Sequence, residues 1–100
     1  MLLARVMGTV VSTRKEPKIE GIRFLLIEKI DPRSMKGKQD YVVAMDSVGA
    51  NAGEIVFYAA GSSSRMTQVT QGKPSDATIT AIVDAIEMDG EYVYHKDRGP

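Results

Sequence analysis

The stretch Thr78-Ile79-Thr80-Ala81-Ile82-Val83-Asp84-Ala85-Ile86-Glu87-Met88 is the one on which the fold turns. Its residues Ile79, Ile82, Val83 and Ile86 recur at i, i+3, i+4 and i+7, the spacing of one face of a helix. Against a helix stand six β-branched residues: Thr78, Ile79, Thr80, Ile82, Val83 and Ile86. Periodicity alone leaves the two readings level, and the β-branched content decides for a strand.

Working back toward the N-terminus, four more segments read as strands. Leu2 to Thr13 alternates two faces, Leu2, Ala4, Val6, Gly8, Val10 and Leu3, Arg5, Met7, Thr9, Val11, with Gly8 marking a bend or bulge. Arg14 to Gly21 is a charged loop, and Arg23 to Ile30 a second strand ended by Asp31-Pro32. Residues 33–40 read as a solvated hairpin connection, Tyr41 to Asp46 as a third strand and Glu54 to Ala60 as a fourth. Between the last two lies a turn of small residues, Ser47 to Gly53. Gly61-Ser62-Ser63-Ser64-Arg65-Met66 offers a strand stop and serine caps for one short helical turn, followed by a polar loop over 67–76. Beyond the fifth strand, Asp89-Gly90 is a turn signal, and Glu91 to His95 alternates as a tail that lies on this subunit or another. Five short strands with one short helix predict an all-β, five-stranded OB-like β-barrel over residues 1–90 with a C-terminal tail at 91–100.

Composition narrows the function. Thirteen basic and thirteen acidic residues cancel, which disfavours a protein that coats nucleic acid or an anionic membrane. The first fifty residues carry a surplus of three positive charges and the last fifty a surplus of three negative ones; with signs interleaved in both halves this reads first as a mixed solvated surface, head-to-tail attraction between copies being the sharper alternative. Without cysteine, and with His95 as the one histidine, neither a disulfide framework nor a zinc site is expected. The start Met1 to Val6 lacks a signal-peptide pattern, and the longest uncharged run, Ile55 to Ser64, is too short for a membrane span, so a soluble cytoplasmic domain is expected.

No segment carries a strong catalytic motif. Gly49-Ala50-Asn51-Ala52-Gly53 departs from both phosphate-loop spacings and reads better as a turn with positive φ. Ser62, Ser63 and Ser64 with His95, Asp46 and Asp84 make a hydrolase triad only on paper, because GxSxG is absent. Asp46 and Glu54 bracket the turn, where hydrogen bonds to turn amides or pairing with Arg65 are commoner fates than acid–base work. Phe24, Tyr41, Phe57 and Tyr58 read as core residues rather than base-stacking groups. No catalytic residue, cofactor or metal is therefore expected, and an OB-fold nucleic-acid-binding module is the alternative.

Four elements in order resemble one family. These are Leu3-Ala4-Arg5-Val6 with Gly8, Val10, Val11 and Thr13, and Gly21 before Phe24-Leu25-Leu26-Ile27, at the start; Ala44, Asp46, Val48-Gly49-Ala50 and Gly53-Glu54 with Val56; Gly61-Ser62-Ser63-Ser64-Arg65; and Ala81-Ile82-Val83-Asp84. Over residues 2–86 the chain resembles the bacterial microcompartment vertex proteins, typified by the ethanolamine-utilisation and carboxysome pentamers. It departs from them at Asn51, where glycine is usual, at Ser64, where alanine is usual, and in the tail past Asp89. The resemblance implies a strand over Thr78 to Met88 and an OB-like barrel assembled as a cyclic homopentamer. Such a ring sits at the corners of a polyhedral shell in the cytoplasm, beside hexameric shell proteins, with no nucleic-acid or membrane partner. It also implies an axial pore loop of Gly49, Ala50, Asn51 and Gly53, and subunit contacts through Arg5, Glu54 and Arg65. Overall likeness leans toward a catabolic compartment.

Overall fold

A computed structural model describes residues 1–11, 21–61 and 77–98. Among them the chain forms strands β1 (Leu2–Val10), β2 (Phe24–Ile30), β3 (Gly37–Asp46), β4 (Ile55–Ala60), β5 (Ala77–Ile82), β6 (Ala85–Met88) and β7 (Glu91–His95), with a 3-10 turn at Lys96–Arg98. The first five close a barrel in the order β1-β2-β3-β5-β4, while β6 and β7 form a separate antiparallel hairpin. The fold class is thus the expected all-β barrel. The short helical turn expected at 61–66 lies, but for Gly61, outside the described residues.

Alternation places the barrel core. Ala4 and Val6 of β1, Leu25 and Ile27 of β2, Ala44 of β3, Val56 and Tyr58 of β4, and Ala77 and Ile79 of β5 point inward and are buried. Each large side chain among them contributes about 1.5–3 kcal/mol of burial. Ala50, from the turn after β3, joins the same cluster. A second cluster gathers Ile30, Ile55, Val83 and Tyr94, with Leu3, Met35 and Ile86 packed against it. Ile30, Ile55 and Leu3 come from the other face of barrel strands, so this small core ties the β6–β7 hairpin to the outside of the barrel.

Besides β1 ending at Val10 rather than running on through Val11, and β2 and β4 each starting one residue later, at Phe24 and Ile55, two larger departures from the sequence reading stand out. The stretch 78–88 is not one strand but two, broken at Val83-Asp84. There the Val83 amide donates to the Ile55 carbonyl (2.8 Å) and the Lys96 amide to the Asp84 carbonyl (2.8 Å), turning the chain out of the barrel. The tail residues 91–95 are β7, paired with β6. The second difference is β3, which starts at Gly37 rather than Tyr41. Its first residues are held by Glu28, whose Oε2 accepts the Gln39 amide at 3.0 Å. Gln39 takes φ +57°, and a Cβ at Gly37 would overlap the Glu28 carboxyl group. The bulge expected at Gly8 is present as a register shift between Val6 and Gly8 in the β1–β2 ladder.

Candidate functional site

The turn between β3 and β4 is built around two carboxylates. Asp46 Oδ1 accepts the amides of Val48 (3.0 Å) and Gly49 (3.0 Å), and Oδ2 accepts that of Ala50 (3.1 Å). At the far end, Glu54 Oε1 accepts the Asn51 amide at 2.6 Å. The Gly53 amide donates to the Val6 carbonyl (2.8 Å) and the Val6 amide to the Glu54 carbonyl (2.9 Å), docking the turn on β1. Gly49 and Gly53 sit at φ +78° and +89°, where a side chain is strained. Amide capping and positive φ are what the sequence indicated for this turn.

The four candidate pore residues separate by exposure. Gly49, Asn51 and Gly53 are exposed, so the surface of the turn is of small residues, whereas Ala50 is fully buried as a plug in the barrel. Of the charged candidates, Arg5 is half-buried, and its Nη2 donates to the Met35 carbonyl at 3.2 Å. Glu54 is half-buried and pairs with Lys96 Nζ at 2.7 Å. Arg65 lies outside the described residues. The hydrogen bond from Lys96, and then that from Asn51, holds the Glu54 carboxyl below the usual carboxylate range. The same contact raises Lys96 above the ordinary lysine value.

Sequence reasoning missed both cations at this turn. Lys96 reaches Glu54 from the segment after β7, and Arg23 Nη1 reaches Asp46 Oδ2 at 3.3 Å from before β2. Neither partner is close in sequence: the pairing of β2 with β3, Phe24 opposite Met45, brings Arg23 to Asp46, and the packing of the β6–β7 hairpin on the barrel brings Lys96 to Glu54.

The outer face of the barrel carries two apolar strips. On β3, Tyr41 and Val43 are 52% and 50% exposed, and Leu26 of β2 stands in register with Val43. On β4, Phe57 is 37% exposed, in register with Leu3 of β1 and Ala81 of β5. In the closed strand order β5 separates β3 from β4 on one side, and β1 separates β2 from β4 on the other. The Tyr41 and Phe57 strips therefore face away from each other. The expectation that the strand aromatics fill the core holds for Tyr58 and fails for Tyr41 and Phe57, which the alternation of β3 and β4 turns outward. Among the described residues no three His, Asp or Glu side chains gather into a metal-binding group, and no helix is long and apolar enough to cross a membrane.

Residues 1–84 match the family described as "Ethanolamine utilisation protein EutN/carboxysome". The chain is 41% identical over 96 residues to the carboxysome shell vertex protein CcmL of Synechococcus elongatus, covering 96% of each. The solved structure of Gloeobacter violaceus CcmL superposes with a TM-score of 0.91 at 38% identity, over 97% of this chain and 99% of that one. The pentameric microcompartment shell protein GrpN of Rhodospirillum rubrum gives 0.79 at 36% identity, over 88% and 99%. Two of these three are carboxysome proteins, so the lean toward a catabolic compartment gains nothing from them.

Proposed function

Because the chain belongs to the EutN/CcmL family of microcompartment shell vertex proteins, we propose that it forms a homopentamer that closes the corners of such a shell. The observation that carries this reading is likeness to vertex proteins along nearly the whole chain, one of them a pentamer by its own description. The two apolar strips support it physically. A ring made by rotation alone is heterologous: each copy offers one patch to the neighbour on its left and an unlike one to its right. Strips on opposite sides of one barrel, around Tyr41-Val43 and Phe57, meet that requirement.

In this reading the chain is a tile and not an enzyme. A flat lattice of six-fold tiles has no curvature in two directions, and five-fold positions supply it. Hexameric shell proteins are then its neighbours at the corner. We further place the small-residue turn at Gly49, Ala50, Asn51 and Gly53 on the five-fold axis, where five copies crowd together. Arg5, Glu54 and Arg65 we place at the boundary between subunits. The nucleic-acid alternative is weaker, since net charge is zero and the exposed Tyr41 and Phe57 sit on opposite sides rather than on one stacking platform.

Native mass spectrometry is the first test, with the mass of five 10.9 kDa chains as the expected result. A monomer or a stable dimer at micromolar concentration would refute the ring. The second test is electron microscopy of cells from which the gene is deleted. Elongated or open shells, with cargo enzymes that keep normal kinetics once purified, are expected. Normal closed polyhedra, in a strain with no second vertex protein, would refute the role.

A further inference from the structure

The barrel closes with a stagger that leaves two stretches of strand unpaired on one side. β3 meets β5 only at Met45 and Asp46, and β1 meets β4 only over Leu2 to Arg5. The phase of the ladders identifies the backbone groups left over. The Asp46 amide donates to the Arg23 carbonyl at 3.0 Å. Antiparallel pairs alternate, so Ala44 and Val42 also face β2, and Tyr41 and Val43 aim their N–H and C=O groups away from it. Leu25, opposite Ala44, faces β3, so Leu26 and Phe24 face Gly8 and Val10 of β1. Thr9 and, one step on, Val11 therefore turn their N–H and C=O groups to the far side of β1. Among the described residues no strand or side chain takes up these groups at Tyr41, Val43, Thr9 or Val11.

These are the two outer edges of one three-stranded sheet, β1-β2-β3. Strand edges are ordinarily blunted by charge or proline. Gly8 to Val11 and Tyr41 to Ala44 carry neither, whereas the hairpin edges hold Glu87 on β6 and Glu91 on β7. Thr9 is exposed, Val11 is 90% exposed, and Tyr41 and Val43 stand half out of the surface. Each edge also adjoins one of the apolar strips: Tyr41 and Val43 belong to the first, and β1 lies beside β4, which carries Phe57. From this geometry we infer that the β3 edge of one copy, at Tyr41 and Val43, hydrogen-bonds to the β1 edge of the next copy, at Thr9 and Val11. Five sheets then join into one band around the ring. The occupant is a second copy because the two open edges are unlike and lie at opposite ends of one sheet, as a heterologous contact repeated by rotation requires. The inference rests on the ring reading above and adds to it the backbone pairing that sets the height of one subunit against the next.

The chain has no cysteine, so the pairing can be trapped with introduced ones. Thr9→Cys is combined with Tyr41→Cys in one full-length variant and with Val43→Cys in another, and each is oxidised with copper phenanthroline in its native assembly. Within one chain these positions are separated by β2, about two strand spacings or roughly 10 Å, too far for a disulfide. Between copies they come within bridging distance only if the edges pair. A ladder of up to five linked chains on a non-reducing denaturing gel is expected from at least one double variant, and none from the three single variants. Hydrogen exchange on the unaltered protein gives a second reading that needs no variant to fold. In the assembly the amides of Tyr41, Val43, Thr9 and Val11 should exchange at least about a hundredfold more slowly than free amides, although none is bonded within its own chain. A pentamer by native mass spectrometry with no ladder in either double variant would overturn the inference and leave the ring standing. So would fast exchange at Tyr41 and Val43 in that pentamer, or single variants that cross-link as well as the double ones. A monomer would remove the ring and the inference together.

Discussion

Asp46→Ala should be among the most damaging single changes on the surface of this protein. The Asp46 side chain is only 3% exposed and accepts three successive amides, those of Val48, Gly49 and Ala50. Water can replace the carboxylate at the exposed Val48 and Gly49, at a loss of about 0.5 kcal/mol each. Ala50 is fully buried, and its amide left without a partner costs about 2 kcal/mol. The exposed contact to Arg23 adds at most about 0.5 kcal/mol. The total is about 3 kcal/mol, a large share of the roughly 5–15 kcal/mol that holds a domain together. Urea unfolding followed by far-ultraviolet circular dichroism measures it, repeated at two protein concentrations because a midpoint that moves with concentration reports assembly and not folding alone. Asp46→Asn keeps one acceptor oxygen for the turn and should lose about 1 kcal/mol. An Asp46→Ala protein within about 0.5 kcal/mol of the parent, the range of ordinary surface changes, would refute the reasoning, because the turn would then hold its shape without the carboxylate.

Gly53→Val, at φ +89°, should destabilise by about 1–2 kcal/mol or more and lower the yield of assembled protein, while Lys36→Ala on the exposed loop should leave both unchanged. Equal yields would show that the backbone there is not constrained. Gly37→Ala should destabilise because its Cβ meets the Glu28 carboxyl group, and Glu28→Ala in the same chain should recover part of the loss; strictly additive losses in the double-mutant cycle would exclude the clash. The Glu54–Lys96 pair sets a pH window. Glu54 is lowered in the folded chain, so its contribution is present above the ordinary carboxylate pKa and disappears as pH falls through its folded value. Lys96 is raised, so its contribution is present below the ordinary lysine pKa and is lost as pH rises through its folded value. Melting temperature against pH should therefore fall less steeply in acid for Lys96→Met than for the parent, and parallel curves would mean that the pair contributes nothing.

The misleading helical spacing of residues 79–86 has a physical origin. Ile79 packs inside the barrel and Ile82 against that core, while Val83 and Ile86 serve the second cluster outside it. The chain changes cores between Ile82 and Val83, so the period-2 rhythm slips and four apolar residues land at helical intervals by coincidence. Alternation was legible wherever one strand served one core throughout, as in β1 and β2. The early start of β3 was not legible. It depends on positive φ at Gln39, and Met35 nearby takes φ +62°, though neither residue type favours that region. Their stabilising partners, the Glu28 carboxylate and the Asp31 carbonyl, are matters of tertiary placement or local turn geometry. At the turn, the two carboxylates and the glycines could be read from spacing, but their cationic partners could not.

The parallel pairing of β3 with β5 is the shortest ladder in the barrel, Met45 with Thr78 and Asp46 with Ile79. It is also a seam between segments more than thirty residues apart, and such non-local contacts form late because loop closure must precede them. During synthesis β1, β2 and β3 can pair as each emerges, but the cylinder stays open until residues near 79 have left the ribosome. Until then β3 has an unpaired edge, the kind of surface on which nascent chains stick to one another. A chain stopped before β5 should therefore aggregate rather than fold in part. The order of events in the cell follows from the same seam: each subunit must finish closing on itself before it has a complete outer wall to offer a neighbour.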